Sequence, residues 1–239
     1  MDTLRINLWS GPRNISTALM YSFAQRADTR VIDEPLYGHY LRLSGAPHPA
    51  AKNVMGAMEC DGEAVIRHLL SPWDRPILFA KQMAHHLVGL SQDFLGVTAN
   101  VLLIRDPVDM LPSLEKQLAE PTLRDTGYDR LAQLLEELEA LDQDPPVLEA
   151  RQLLADPESV LSALCERLGI DFDSKMLSWE AGPIPEDGVW ASHWYQNVHL
   201  STGFQPYRPK PEPFPDHLNP LLDTCRPLFE RLAERAITP

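Results

Sequence analysis

Residues 101–104 read Val-Leu-Leu-Ile, apolar at every position, and this run limits the fold more than any other stretch of the chain. A strand with one buried face alternates apolar and polar side chains. A strand apolar throughout lies in a parallel sheet covered on both sides. The surrounding pattern agrees, because short apolar runs alternate with amphipathic ones, as in an α/β fold. Strands are predicted at Leu4–Trp9, Thr29–Ile32, Pro76–Lys81, Ala99–Arg105 and Val147–Ala150. Helices are predicted over about 16–26, 62–70, 128–141, 156–168 and 219–236, with a further helix opened by Pro107 and a weak one over 85–90. Leu131, Leu134, Leu135, Leu138 and Leu141 form an apolar stripe at helical spacing. Residues 37–61 mix Gly, Ala, Pro and His and read as loop with short helices.

The 22 prolines crowd the last third, where Pro183, Pro185, Pro206, Pro209, Pro211, Pro213 and Pro215 interrupt regular structure. The expectation is one domain over 1–239. It is a three-layer α/β/α sandwich with a mainly parallel sheet over 1–180, followed by a proline-rich C-terminal arm and final helix over 181–239.

Charge narrows the partners. The chain of 239 residues has 34 acidic and 21 basic side chains, a net charge of -13. Such a surface repels polyanions, so nucleic acid and sulfated polymers are not expected as partners, while a small anion held by a local arginine cluster is compatible with it. No run approaches the ~18 apolar residues of a membrane span. Cys60, Cys165 and Cys225 stand far apart with no paired spacing, which fits a reduced, cytoplasmic setting and no metal cluster. Oligomeric state is not written in the sequence.

Two motifs carry chemistry. The first follows the first strand: Gly11-Pro12-Arg13-Asn14-Ile15-Ser16-Thr17. A strand, a tight loop and a helix start form an anion site, since backbone N–H groups and the helix dipole favour negative charge. Arg13 adds a planar donor fork. This is not a Walker A loop: Ser16 stands where the second Gly belongs and Thr17 where the Lys belongs. The competing reading is an ordinary turn with Ser16 as helix cap. The second motif is Arg105-Asp106-Pro107 with Ser113 eight residues past the Arg. Arg105 ends a central strand, where open α/β sheets bind ligands. The alternative pairs Arg105 with Asp106 or Asp109.

Together these motifs resemble the sulfotransferase superfamily, which uses 3′-phosphoadenosine-5′-phosphosulfate (PAPS). The segment Val147 to Phe172 is similar to that family's strand and helix before its C-terminal region, so the resemblance covers about residues 4–180. It implies a P-loop-type sheet and no metal. It assigns the 5′-phosphosulfate to Arg13, Ser16 and Thr17, and the 3′-phosphate to Arg105 and Ser113. Lys81 matches the family's strand-end lysine, which stabilises leaving-group charge. Glu34, in Asp33-Glu34-Pro35, looks like the general base of the bacterial trehalose sulfotransferase type. The cytosolic enzymes carry a His base two residues past the lysine, where this chain has Met83, so His85 or His86 is the alternative base. Either histidine also reads as a surface or capping residue. Arg208 and Lys210 lie where the family has a basic loop, without a close match.

The resemblance implies sulfuryl transfer from PAPS to a hydroxyl or amine of a small-molecule acceptor, chosen by the Tyr37–Met58 region. The rivals are a P-loop-type small-molecule kinase, disfavoured by Thr17, and a non-catalytic module on the same scaffold.

Overall fold

A computed structural model describes residues 3–46, 50–209 and 212–238. Lys210 lies outside the described residues. Five strands form one sheet: β1 (Leu4–Ser10), β2 (Thr29–Asp33), β3 (Ile77–Met83), β4 (Ala99–Ile104) and β5 (Val147–Glu149). Their order is β2-β3-β1-β4-β5, and every pairing is parallel.

Consecutive residues of the strands feed opposite cores. Ile6 and Leu8 of β1, Ile77 and Phe79 of β3, Val101 and Leu103 of β4, and Leu148 of β5 belong to one cluster. Trp9, Leu78, Ala80, Leu102, Ile104 and Val147 belong to the other. Both faces are therefore covered, and the unalternating apolar run of β4 is explained. The layers are helical. They comprise α1 (Ser16–Ala24), α2 (Tyr37–Ser44), α3 (Ala51–Ala57), α4 (Gly62–Leu70), α5 (Pro107–Glu115), α6 (Leu123–Thr126), α7 (Tyr128–Ala140), α8 (Ala150–Ala155), α9 (Pro157–Leu168), α10 (Ala191–Trp194), α11 (Gln196–His199) and α12 (Asn219–Ala233). Buried residues of α1, α2, α3, α8, α9, α10 and α11 join the first core. Those of α4, α5, α7 and α12 join the second.

Several expectations are corrected. The first helix stops at Ala24 and the last at Ala233, two to three residues early. The weak helix after the third strand is a single 3-10 turn over Ala84–His86. Residues 37–61 hold short helices as expected, α2 and α3, because Tyr37, Leu41 and Val54 bury against the core. Helix α8 went unseen, since it begins as β5 ends, its amides capped by the Glu149 carboxylate. Asp156 caps α9 as expected, and Gly169 ends it in the left-handed region.

Gly56 of α3 is exposed, and a Cβ there would meet nothing within 4 Å. Gly56→Ala is expected to raise stability by about 0.5 kcal/mol through helix propensity. Urea denaturation reads it, and a loss instead of a gain would contradict this open environment.

The chain runs from β1 by α1 to β2, then from β3 across β1 to β4. The carboxyl end of β1 is thus the switch point, where the connections leave a crevice.

Candidate functional site

The crevice is a cavity of about 800 Å³ along the carboxyl edge of the sheet. Every described candidate residue but Gly11 and Ser113 lines it.

The loop after β1 is built against local preference. Arg13 and Ile15 both have positive φ, 61° and 60°. Ile15 is the N-cap of α1 and supplies no side-chain cap. A capping hydroxyl or carboxylate there is worth ~1 kcal/mol, and left-handed backbone is strained for a β-branched residue. Ser16 is the first helical residue and not the cap, which corrects the reading of Ser16 as helix cap. The first amides of α1 remain open toward the cavity, an arrangement that suits an anion.

Arg13 Nε donates to Ser113 Oγ at 2.9 Å. Arg105 Nη1 donates to the Arg13 carbonyl at 2.8 Å, and Tyr128 Oη donates to the Arg105 carbonyl. Neither guanidinium forms an ion pair among the described residues. Burial, and then the neighbouring Arg105, hold the Arg13 pKa below its ordinary value. The carboxylates expected beside Arg105 are engaged elsewhere: Asp106 caps α5, and both Asp106 and Asp109 bond to Arg151. Ser113, expected with Arg105, is bonded to Arg13. Arg208 lines the same cavity.

Two strands away lies a different cluster. Register places Asp33 of β2 opposite Lys81 of β3. Lys81, only 1% exposed, donates to Asp33 Oδ1 at 2.9 Å, Glu34 Oε1 at 2.5 Å and Tyr195 Oη at 2.7 Å. All three ammonium hydrogens are committed. Tyr195 Oη also accepts from Trp190 Nε1 at 3.0 Å and donates to Asp33, and the Gly188 amide donates to Asp33 Oδ2. The two carboxylates raise the Lys81 pKa well above its ordinary value, overcoming burial. Burial pushes the Glu34 carboxyl up, against the pull of Lys81 and with the push of Asp33. Glu34 has φ 43°, a further strained position.

Burial pushes His85 down to about 4 and His86 well below its ordinary value, so both rings are neutral near pH 7. Neither Nδ1 has a hydrogen-bond partner. His86 is stacked on Tyr37 and Tyr40, at centroid distances of 4.8 Å each. Asp33 and Tyr195 were missed from sequence. Their signal was available in part, since Asp33 adjoins Glu34 and Tyr195 lies in the aromatic stretch 190–195.

A five-stranded parallel sheet of this order, with an uncapped helix start and two arginines without ion-pair partners at its switch point, is an α/β domain of P-loop type. A family model described as "Sulfotransferase domain" matches residues 4–236. The chain belongs to this sulfotransferase family. Its fold is that of solved sulfotransferase domains. One from the Synechococcus PCC 7002 olefin synthase aligns with TM-score 0.57 and 16% identity, over 94% of this chain and 95% of that one. One from the curacin biosynthetic pathway aligns with TM-score 0.55 and 16% identity, over 99% of each. A sulfotransferase from Alicyclobacillus acidocaldarius gives 0.56 and 13%, over 99% and 98%. Two curated Arabidopsis thaliana relatives are named branched-chain-amino-acid aminotransferase-like proteins 2 and 1. They are 40% and 41% identical over 229 residues, 95% of this chain. The chain spans 41% of the length of each.

No helix among the described residues is long and apolar enough to cross a membrane.

Proposed function

We propose that this protein moves a sulfuryl group from PAPS to a hydroxyl or amine of a small-molecule acceptor, in the cytoplasm and as a single domain. One observation carries the reading: Arg13 and Arg105 converge beside the open amides of α1 with no carboxylate to neutralise them. Two uncompensated guanidiniums this close are costly without a polyanion, and PAPS, with its separate phosphosulfate and phosphate groups, is a ligand of that kind.

Gly11 and Pro12 shape the loop. Arg13, the amides of Asn14 and Ile15, and Ser16 and Thr17 hold the 5′-phosphosulfate. Arg105 and Ser113 hold the 3′-phosphate. PAPS, when bound, supplies the sulfuryl group and leaves as 3′,5′-ADP. Glu34 takes the proton of the acceptor group, a task suited to a carboxyl that burial pushes above its ordinary value. His85 and His86 are poor bases, because their buried rings resist protonation. Once protonated, Glu34 binds Lys81 less strongly, and the ammonium hydrogen it held turns to the bridging oxygen, where negative charge develops.

The kinase reading lacks a loop lysine. The relatives' aminotransferase-like name belongs to proteins of more than twice this length. A Schiff-base lysine needs a depressed pKa, and Lys81 shows the reverse. Lys52, Lys116 and Lys175 are surface residues.

The test is calorimetric titration with 3′,5′-ADP, 5′-ADP and ATP with Mg²⁺. 3′,5′-ADP is expected to bind tightest, and Arg105→Ala to weaken it about 10–150-fold, the equivalent of ~1.5–3 kcal/mol for charge-assisted bonds. No binding, or a preference for ATP, overturns the PAPS reading and leaves the kinase or the non-catalytic module.

A further inference from the structure

We infer that the acceptor is a neutral or cationic molecule with a flat apolar body, and that the site turns anionic acceptors away. The inference rests on the reading above and specifies the substrate class of that same cavity.

Charge within the cavity is segregated along the sheet edge. Arg13 and Arg105 stand over β1 and β4, while the carboxylate cluster stands over β2 and β3. Three strand spacings, about 14 Å, separate β2 from β4. At the β2 end Asp33 and Glu34 face one ammonium, that of Lys81, and each of its hydrogens is already taken. The two histidines there carry no charge near neutral pH. Asp125 also lines this end, its carboxylate accepting from Thr122, and Arg124 adjoins His85 without lining the cavity. Arg208 follows Tyr207, whose hydroxyl bonds Asp109 of α5 at the arginine end, and among the described residues no cation at the β2 end is free to meet a carboxylate, sulfate or phosphate on the acceptor.

The walls supply the body's complement. Tyr37 lies parallel to His86, with 7° between the rings, and Tyr40 at 26°. Trp190 meets Tyr37 edge-on at 5.1 Å. These rings line the cavity together with the Glu34 carboxylate, and Tyr40 is only half-buried. Ring faces next to a carboxylate favour an ammonium and tolerate an alcohol. They place an anion against both the carboxylate and the negative faces of the rings.

The experiment uses three probes of one shape: phenethylamine, phenethyl alcohol and phenylacetate. Each is titrated into the protein saturated with 3′,5′-ADP, with tryptophan emission as readout, since Trp190 and Trp194 line the cavity. Phenylacetate is expected to bind at least about tenfold more weakly than the alcohol, and the amine at least as tightly as the alcohol. Glu34→Gln should narrow the gap between amine and phenylacetate. Tyr40→Leu should weaken all three. Phenylacetate binding as well as the alcohol overturns the inference, as does failure of all three to bind. An unchanged gap in folded Glu34→Gln also overturns it. Should that variant not fold, the wild-type ranking decides alone. The titration is repeated without nucleotide, so a failure of 3′,5′-ADP to bind counts against the PAPS reading, while the ranking still tests the acceptor end.

Discussion

Lys81→Met will destabilise the protein by about 3–5 kcal/mol near neutral pH, and the loss will shrink on acidification. The side chain is 1% exposed and is the counter-charge of two carboxylates, of which Asp33 is equally inaccessible. Methionine fills similar space, so the loss is electrostatic and not a cavity. With the ammonium gone, Asp33 and Glu34 repel each other with no counter-charge between them, and the repulsion favours protonating the pair. The folded variant then holds protons more tightly than its unfolded chain, so its stability rises as pH falls through the carboxyl range. The wild type behaves oppositely at the alkaline end. Its Lys81 pKa is raised above the ordinary 10.5, so the lysine's stabilisation is complete below that value and is lost as pH climbs through the folded one. Urea unfolding of both proteins at about pH 8 and about pH 5 measures the difference. A penalty identical at the two values would mean that Lys81 contributes packing alone. Adding Asp33→Asn to Lys81→Met should recover part of the loss, because one of the stranded charges is removed.

The layers and the turn after β1 were legible because each rests on local pattern. Val101 to Ile104 announces a central strand, and Asp156 with Gly169 brackets a helix, with no knowledge of distant residues. Arg13, Arg105 and Ser113 could be singled out because each stands at a fixed offset from a strand end. What stayed hidden depends on register and long-range closure. Asp33 becomes a partner of Lys81 only when β2 is known to pair with β3, and Tyr195 reaches the same ammonium from 114 residues away. The aromatic stretch 190–195 reads equally well as a strap or as a lid. Its hydroxyl and indole hydrogen bonds to the buried cluster follow from the path of the arm, which proline-rich sequence does not specify. The caged state of Lys81 was likewise out of reach, since a strand-end lysine looks free until its neighbours are placed.

Gly11→Ala will cost about 3 kcal/mol and weaken 3′,5′-ADP at least about tenfold, although no atom of Gly11 need touch the ligand. A Cβ at Gly11 would fall 2.3 Å from the Thr126 carbonyl oxygen, and Gly127 opposes it so closely that its own Cβ would stand 3.1 Å from the Gly11 Cα. Two backbones thus meet face to face, and neither can yield alone. On one side, Ser10 is paired with both β3 and β4 at the centre of the sheet. On the other, Gly127 opens α7, whose Tyr128 hydroxyl bonds the Arg105 carbonyl. Any shift that relieves the clash therefore moves Arg13 relative to Arg105 and spreads the pair proposed to hold the nucleotide. Gly96→Ala is the matched control, because a Cβ there meets nothing within 4 Å. Thermal melting and calorimetry on the two variants separate the effects. If Gly11→Ala melts and binds like Gly96→Ala, the loop is positioned by its own left-handed residues. If it loses both stability and affinity, the contact with α6 and α7 is what sets the distance between the two arginines.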